Sequence, residues 1–401
     1  MFNVLRRLRR DERGMSFVFV GMGFMGFLAA TTLAIDVGMF MTARSQAQNS
    51  ADAGALAGAI ALYFDDWDDR SADGPAVQSA MSTAREAGNQ VMGTAASVTP
   101  PDVTFPNDPT GQPTRVRVDV FRTVGRANPV PTLIGQYFGV SNVNITATAT
   151  AEAVPANGMT CVKPFIIPDR WREMTNPPYD DQTSTFEMYD NRGDPLPSER
   201  DPRQPDVYID ANGGVNYTGY NNEADRGRTL TLRAGSGNNI EPSFYYSLAM
   251  GVGGEDNPGG MTGGDAYSWN IENCNHTVVE WGDVVIQEPG NMVGPTIAGI
   301  EALIAKDPGA YWNTATNKVA GSAYPGQSPR VAPIPLYDPV FYETGKQNGR
   351  FADFKVANWI GFFFESVQGN AIVGRIIPIT GISTSGPAPA GLFPRAIRLV
   401  E

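Results

Sequence analysis

At 401 residues and 42% apolar, the chain is long enough for two or three domains with proper cores. Its net charge of −12 argues against nucleic acid as a partner, because an acidic body repels phosphate backbones, and suits an anionic lipid surface equally poorly. One histidine and two cysteines all but exclude zinc, copper and non-haem iron sites, which lean on those side chains.

In chain order, residues 1–14 form a basic segment, with Arg6, Arg7, Arg9, Arg10 and Arg13. Met15 to Ile35 follows, 21 residues without a charge. At 1.5 Å per residue that is about 31 Å of helix, close to the hydrocarbon thickness of a bilayer. After Asp36 no basic residue occurs until Arg44. The positive-inside rule therefore predicts a single-pass helix with residues 1–14 in the cytoplasm and everything after Asp36 outside. Residues 1–63 hold six Arg against four acids, so the remainder carries −14. Trp359–Phe364 is apolar but of buried-strand length. A cleaved signal peptide is the rival reading. Its apolar region is shorter and ends at small residues, and Thr32-Leu33-Ala34 is a mediocre site.

The helix is expected to run on beyond the span, so that residues 15–63 form one transmembrane and extended element. Phe40–Leu62 lacks proline and is rich in helix formers. Small residues recur at Gly26, Ala30, Ala34 and Gly38, then at Ala43, Ala47, Ala51, Ala55 and Ala59. Such a stripe admits a close neighbour, either a second helix in an oligomer or another part of the same chain. Gly21–Gly26 matches the spacing of a dinucleotide loop, but it lies inside the span and not between a strand and a helix.

Ala34-Ile35-Asp36-Val37-Gly38, then Ala43 to Ala59 with Asn49-Ser50-Ala51-Asp52 at its centre, resembles the amino-terminal signature of TadG-like Flp pilus-assembly proteins over residues 13–63. The signature positions are Asp36, Gly38, Asn49 and Asp52. Cys161–Trp171 and Glu288–Thr296 look like further segments of TadG-related proteins. The resemblance implies a single-pass inner-membrane component of tight-adherence pilus machinery. Two departures stand out. The Asp-x-Ser-x-Ser metal site of a von Willebrand A domain is missing, Asp181–Thr185 being the nearest string. Pseudopilin cleavage needs Glu five residues after its glycine, where Gly14 has Phe19.

Residues 64–155 read as a small α+β unit, reminiscent of pilin-like architecture. It comprises a helix over 71–92, a strand at Arg115–Val120 with Val116, Val118 and Val120 on one face, a helix at Pro129–Phe138, and a strand alternating through Val143, Ile145, Ala147, Ala149 and Ala151. Pro155–Gly158 marks a boundary. Residues 159–401 read as a β-rich domain. The 44 Gly and 31 Pro of the whole chain imply many turns, and few periodic segments are visible before residue 265. Gly251–Gly264 is a loop with seven glycines. Strands are expected at Thr277–Gln287, Arg330–Leu336, Phe354–Val367 and Ala371–Ile379, and a helix at Thr296–Lys306.

Catalytic chemistry finds little support. Cys274 and His276 are two apart, which specifies no hydrogen bond between them, and a cysteine bonded to Cys161 would have no thiolate. That disulfide is expected if the domain is extracytoplasmic, two buried thiols being the other reading. No G-x-S-x-G elbow occurs, and no carboxylate pair is marked for glycoside hydrolysis. Asp65, Asp66, Asp68 and Asp69, and likewise Glu255, Asp256 and Asp265, lack EF-hand spacing and read as solvated charge. Arg192-Gly193-Asp194 is assigned no adhesive meaning. Tyr208, Tyr217, Tyr220, Tyr245, Tyr246 and Trp269 read as core aromatics, a carbohydrate-binding surface being the less common use.

The fold expected is α+β: a long transmembrane helix, a small extracytoplasmic unit and a β-rich domain. The function expected is a non-catalytic, membrane-anchored structural component of a Flp-type pilus or related envelope machine. Its partners would be the inner membrane and other pilus proteins or pilins, with homo- or hetero-oligomers formed through the helix, and with no cofactor, metal or nucleic acid. The alternatives are a secreted or surface-anchored binding module with a cleaved amino terminus, and an envelope hydrolase using carboxylates alone.

Overall fold

An unbroken proline-free stretch rich in Ala, Met and Leu sustains one helix, α1 (Glu12–Phe64), of 53 residues, about 80 Å at 1.5 Å per residue. The structure, a computed structural model, describes residues 12–66, 68–87, 96–109, 111, 113–235, 239–250, 260–347 and 353–400. The basic stretch Arg6–Arg10, the end of the predicted 71–92 helix, and Glu255 and Asp256 with most of their glycine-rich loop lie outside the described residues. The architecture is mixed α+β, in two compact units: residues 1–153 with 397–401, and residues 154–396.

In the first unit, the alanines of the carboxyl half of α1 are its core. Ala43, Ala47, Ala51, Ala55 and Ala59 are buried, facing α2 (Pro75–Ala87) and the sheet. Two glycines on that half set the spacing. A Cβ at Gly58 would lie 2.8 Å from Val116 Cγ1 and 3.1 Å from Ala80 Cβ, and one at Gly54 would lie 2.8 Å from Ala84 Cβ. Ser50, fully buried, donates its hydroxyl to the Ala84 carbonyl. The sheet runs β1 (Val103–Thr104), β2 (Arg115–Arg122), β3 (Ile145–Pro155), then the carboxyl-terminal strand Arg395–Leu399. The register opposes Val116 to Ala151, Val118 to Ala149 and Val120 to Ala147, so small residues face branched ones on the buried side. Glu152, almost fully buried, accepts from Arg115 Nε at 2.8 Å and from Arg398 Nη2 at 2.7 Å.

The helix expected at Pro129–Phe138 does not form. Val130–Pro131 pairs with Asn142–Val143, and a single 3-10 turn covers Gly135–Phe138. Pro129 and Pro131 hold the residues before them in extended conformations and remove amides a helix would use.

In the second unit, the apolar run Trp359–Phe364 belongs to the strand with the most partners. β4 (Phe165–Pro168), β5 (Thr229–Ala234), β6 (Phe244–Ser247), β8 (Val331–Tyr337), β9 (Asp353–Gln368) and β10 (Ala371–Ile377) close into a six-stranded barrel, β9–β8–β4–β6–β5–β10 and back to β9. β8–β4 and β6–β5 are parallel, the other four pairs antiparallel. β7 (Val284–Ile286) adds to the start of β9. Closure buries both faces of β9, and Trp359, Ile360, Phe362, Phe363 and Phe364 are inaccessible to solvent, which is why this strand reads as continuously apolar. A bulge after Phe364 bends it. There the buried Arg330 donates to the carbonyls of Phe364, Glu365, Asp307 and Ala310 at 2.8–3.1 Å.

Helix α3 (Gly263–Glu272) packs on α4 (Val293–Lys306), and α5 (Pro339–Gln347) lies against β9. The strand expected over Thr277–Gln287 is interrupted. Val279–Glu280 pairs with Gly158–Met159, and Gly282 at φ +89° turns the chain into β7. Cys161 and Cys274 are joined as a disulfide with Cα atoms 4.2 Å apart. Beside it the buried Lys163 donates to the Ile271 and Asn273 carbonyls, and Lys306 to that of Glu272 at 3.0 Å. Both ammonium groups thus serve the carboxyl end of α3, where the helix dipole favours cations.

Asp169, past the end of β4, is wholly buried and accepts from the hydroxyls of Tyr217 (2.6 Å) and Tyr208 (2.9 Å) and the amides of Tyr220 and Arg170. Tyr217 in turn accepts from Asn358 Nδ2 at 2.7 Å. Burial pushes the Asp169 carboxyl up to about 6, against the four hydrogen bonds that favour its charge.

Two predictions follow from this packing. Gly58→Leu forces α1 off Val116 and destabilises the first unit by about 1–3 kcal/mol, read as a lower urea midpoint; an unchanged midpoint would contradict the close approach. For Asp169, the folded form holds a proton that the unfolded form loses near pH 4. Stability therefore falls as pH rises from about 4 to 6, by about 3 kcal/mol in all. In Asp169→Asn this downward slope vanishes, so the stability difference between variant and wild type changes across that window and is flat above it. Parallel pH profiles for the two proteins would overturn the assignment.

Candidate functional site

The two halves of α1 differ in what surrounds them. From Asp36 onward its buried face is made by the chain itself. Before Asp36 it is bare: Phe17 is 79% exposed, Met25 73% and Leu33 66%. Nothing lies within 4 Å of where a Cβ would stand at Gly21, Gly23, Gly26 or Gly38. Gly26, Ala30, Ala34 and Gly38 are all exposed, whereas the stripe Ala43–Ala59 is consumed by packing on α2 and the sheet. The bare half is one helix long and apolar enough to cross a membrane.

Asp36 stands where the two halves meet. Its carboxylate is only 5% exposed and accepts from three successive backbone amides: Leu133 (2.9 Å), Ile134 (3.1 Å) and Gly135 (2.8 Å). These head the 3-10 turn Gly135–Phe138, so Asp36 caps it from another element, neutralising donors that the turn cannot satisfy itself. Gly135 keeps this turn uncrowded, since a Cβ would stand 3.0 Å from the Val140 carbonyl and 3.1 Å from Thr132 Cβ. The hairpin is closed by Thr132 N–H to Ser141 O and Val140 N–H to Gly135 O, at 3.0 and 2.9 Å.

The other signature residues are spread along the helix. Gly38 offers its carbonyl to Thr42 Oγ1 at 2.9 Å. Asp52 accepts from Gln48 Nε2 at 2.8 Å, and the same nitrogen reaches the Thr148 carbonyl of β3 at 3.2 Å. Asn49 faces solvent. The signature marked Asp36 without indicating its partner, 97 residues away.

The catalytic candidates do not assemble among the described residues. Cys274 is bonded to Cys161, and His276 is at the surface. Asp181 pairs with Arg228. Asp66 accepts from the amides of Asp68 and Asp69, and Asp69 from Ser71, a turn at the end of a helix. Asp194 of the Arg-Gly-Asp string pairs with Arg200 at 3.2 Å in solvent. Glu173 and Asp206 are close and buried, but they accept from the backbone amides of Asn176, Met174, Thr175 and Glu187. A cavity of about 720 Å³ lies elsewhere, lined by Asp190, Arg192, Arg203 and neighbours. Its Arg203 is bound to Asp201 and Glu187. Among the described residues no group of three His, Cys, Asp or Glu is placed to hold a metal. Tyr220, Tyr245 and Tyr246 are buried in the core, Tyr208 and Tyr217 pack against it, and Trp269 is half-buried.

Replacing Asp36 with alanine leaves three amides without their acceptor. Exchange at Leu133, Ile134 and Gly135 is expected to accelerate about tenfold or more, read by hydrogen–deuterium exchange; unchanged protection there would refute the clasp.

No curated protein and no solved structure is found to match the chain. Residues 14–61 match the Tad family model, described as "Putative Flp pilus-assembly TadE/G-like". The match covers the bare half of α1, Asp36 and most of the packed half. The chain therefore carries a TadE/G-like amino-terminal segment.

Proposed function

We propose that the chain is a membrane-anchored, non-catalytic structural component of a Flp-type pilus-assembly or related envelope machine. The observation that carries this reading is the division of α1 inside the family-matched segment: an uncharged, exposed half of membrane length joined to a half locked into the chain's own core. A soluble protein does not leave about 30 Å of apolar helix in water. The arginine cluster before the span supports an inner-membrane orientation with the amino terminus in the cytoplasm. The Cys161–Cys274 disulfide suits a body in an oxidising compartment. Other pilus proteins are its partners, and the exposed Gly26, Ala30, Ala34 and Gly38 offer a surface for a neighbouring helix within the bilayer.

Alkaline phosphatase fused after Glu401 tests the orientation; activity outside the cytoplasm is expected, and activity of a cytosolic reporter alone at that site would overturn it. Mass spectrometry of the mature chain separates anchor from secreted module. An intact amino terminus is expected, and a start near Ile35 would favour secretion. Deleting the gene is expected to abolish surface pili, and normal piliation would remove the pilus role.

A further inference from the structure

We propose that the turn Leu133–Val140 is a second membrane contact, an aromatic foot that rests in the lipid interface beside the helix; this rests on the anchor reading above. Thr132–Ser141 carries no charge. Within it Leu133 is 41%, Tyr137 79%, Phe138 75% and Val140 50% exposed. Single exposed apolar side chains are ordinary, but four within eight residues form a patch. Its occupant follows from where it is fastened.

The turn is tied through the amides of Leu133, Ile134 and Gly135 to Asp36, the first charged residue after the uncharged span. Side chains on a helix lean toward its amino terminus. The Asp36 carboxylate therefore leans back toward the span and draws the turn to the level at which the apolar half ends. Phe138 is three residues from Gly135, so it stands no more than about 11 Å from the clasp along the chain. The zone between hydrocarbon and water is about 5–8 Å deep on each side, and Tyr and Phe side chains bridge what remains. Tyr at this depth is the composition of a membrane's aromatic belt. The closed neck of the hairpin holds the foot in shape, so that little ordering is needed on contact.

The test uses full-length protein in vesicles of phosphatidylethanolamine and phosphatidylglycerol. Phe138→Cys, and separately Val140→Cys, is labelled with an environment-sensitive fluorophore; the oxidised Cys161–Cys274 pair leaves one thiol per variant. Blue-shifted emission is expected, with quenching by nitroxide lipids at least about twofold stronger for a headgroup-proximal label than for a chain-end label. Water-like emission with full access to aqueous iodide would overturn the foot. Shielding that appears only when envelope proteins are added would also overturn it, in favour of a protein partner. A label at Phe24→Cys separates the two readings. If Phe24 is quenched by chain-end nitroxides while Phe138 is quenched by neither nitroxide, only the foot fails; if Phe24 is not quenched, the anchor fails as well.

Discussion

A carboxylate at the end of an uncharged helix needs hydrogen-bond donors, and Asp36 finds them in the backbone of its own chain. Water could solvate it equally well, but then nothing would relate the apolar half of α1 to the hairpin 97 residues later. By accepting from three consecutive amides, one side chain fixes where the bare helix stops, which turn lies beside that point, and which residues of the turn face outward. The contact is also directional. The two oxygens of a carboxylate satisfy several converging N–H donors at once, whereas an apolar residue of similar size would leave them unpaired.

Below this clasp the first unit is built on smallness. An alanine stripe with Gly54 and Gly58 brings α1, α2 and β2 closer than branched side chains would allow. Val116, Val118 and Val120 then supply the volume from the sheet. The second unit solves a different problem. Its strands close on themselves, so few edges are left open. Where β9 must bend to allow closure, the guanidinium of Arg330 takes up the carbonyls that the bulge releases from the ladder.

Those contrasts explain what could be read from sequence. An uncharged, proline-free run was enough for α1, and alternation was enough for Arg115–Val120 and for the strand after Val143. Pattern was enough for β8, β9 and β10 as well, whose long apolar runs admit few alternatives. It failed at Pro129–Phe138, where spacing suggested a helix while two prolines and two glycines dictated a hairpin. β4, β5, β6 and α3 went unread because they are short and set among Asn, Gly and Pro, their stability coming from neighbours distant in sequence. The same is true of Asp36. Its position was legible, and its partner was not, since a hydrogen bond to backbone amides leaves no mark on the residues that provide them.

The carboxyl-terminal strand has a further consequence. Arg395–Leu399 lies beside β3, and Arg398 grips Glu152 across more than two hundred intervening residues. The second unit is thus an insertion within the first. During synthesis the early helix and three strands emerge long before the strand that completes their sheet, so β3 presents an unpaired edge to the nascent chain's surroundings throughout translation of the barrel. The sheet of the amino-terminal unit therefore gains Arg395–Leu399 only after the barrel has been made.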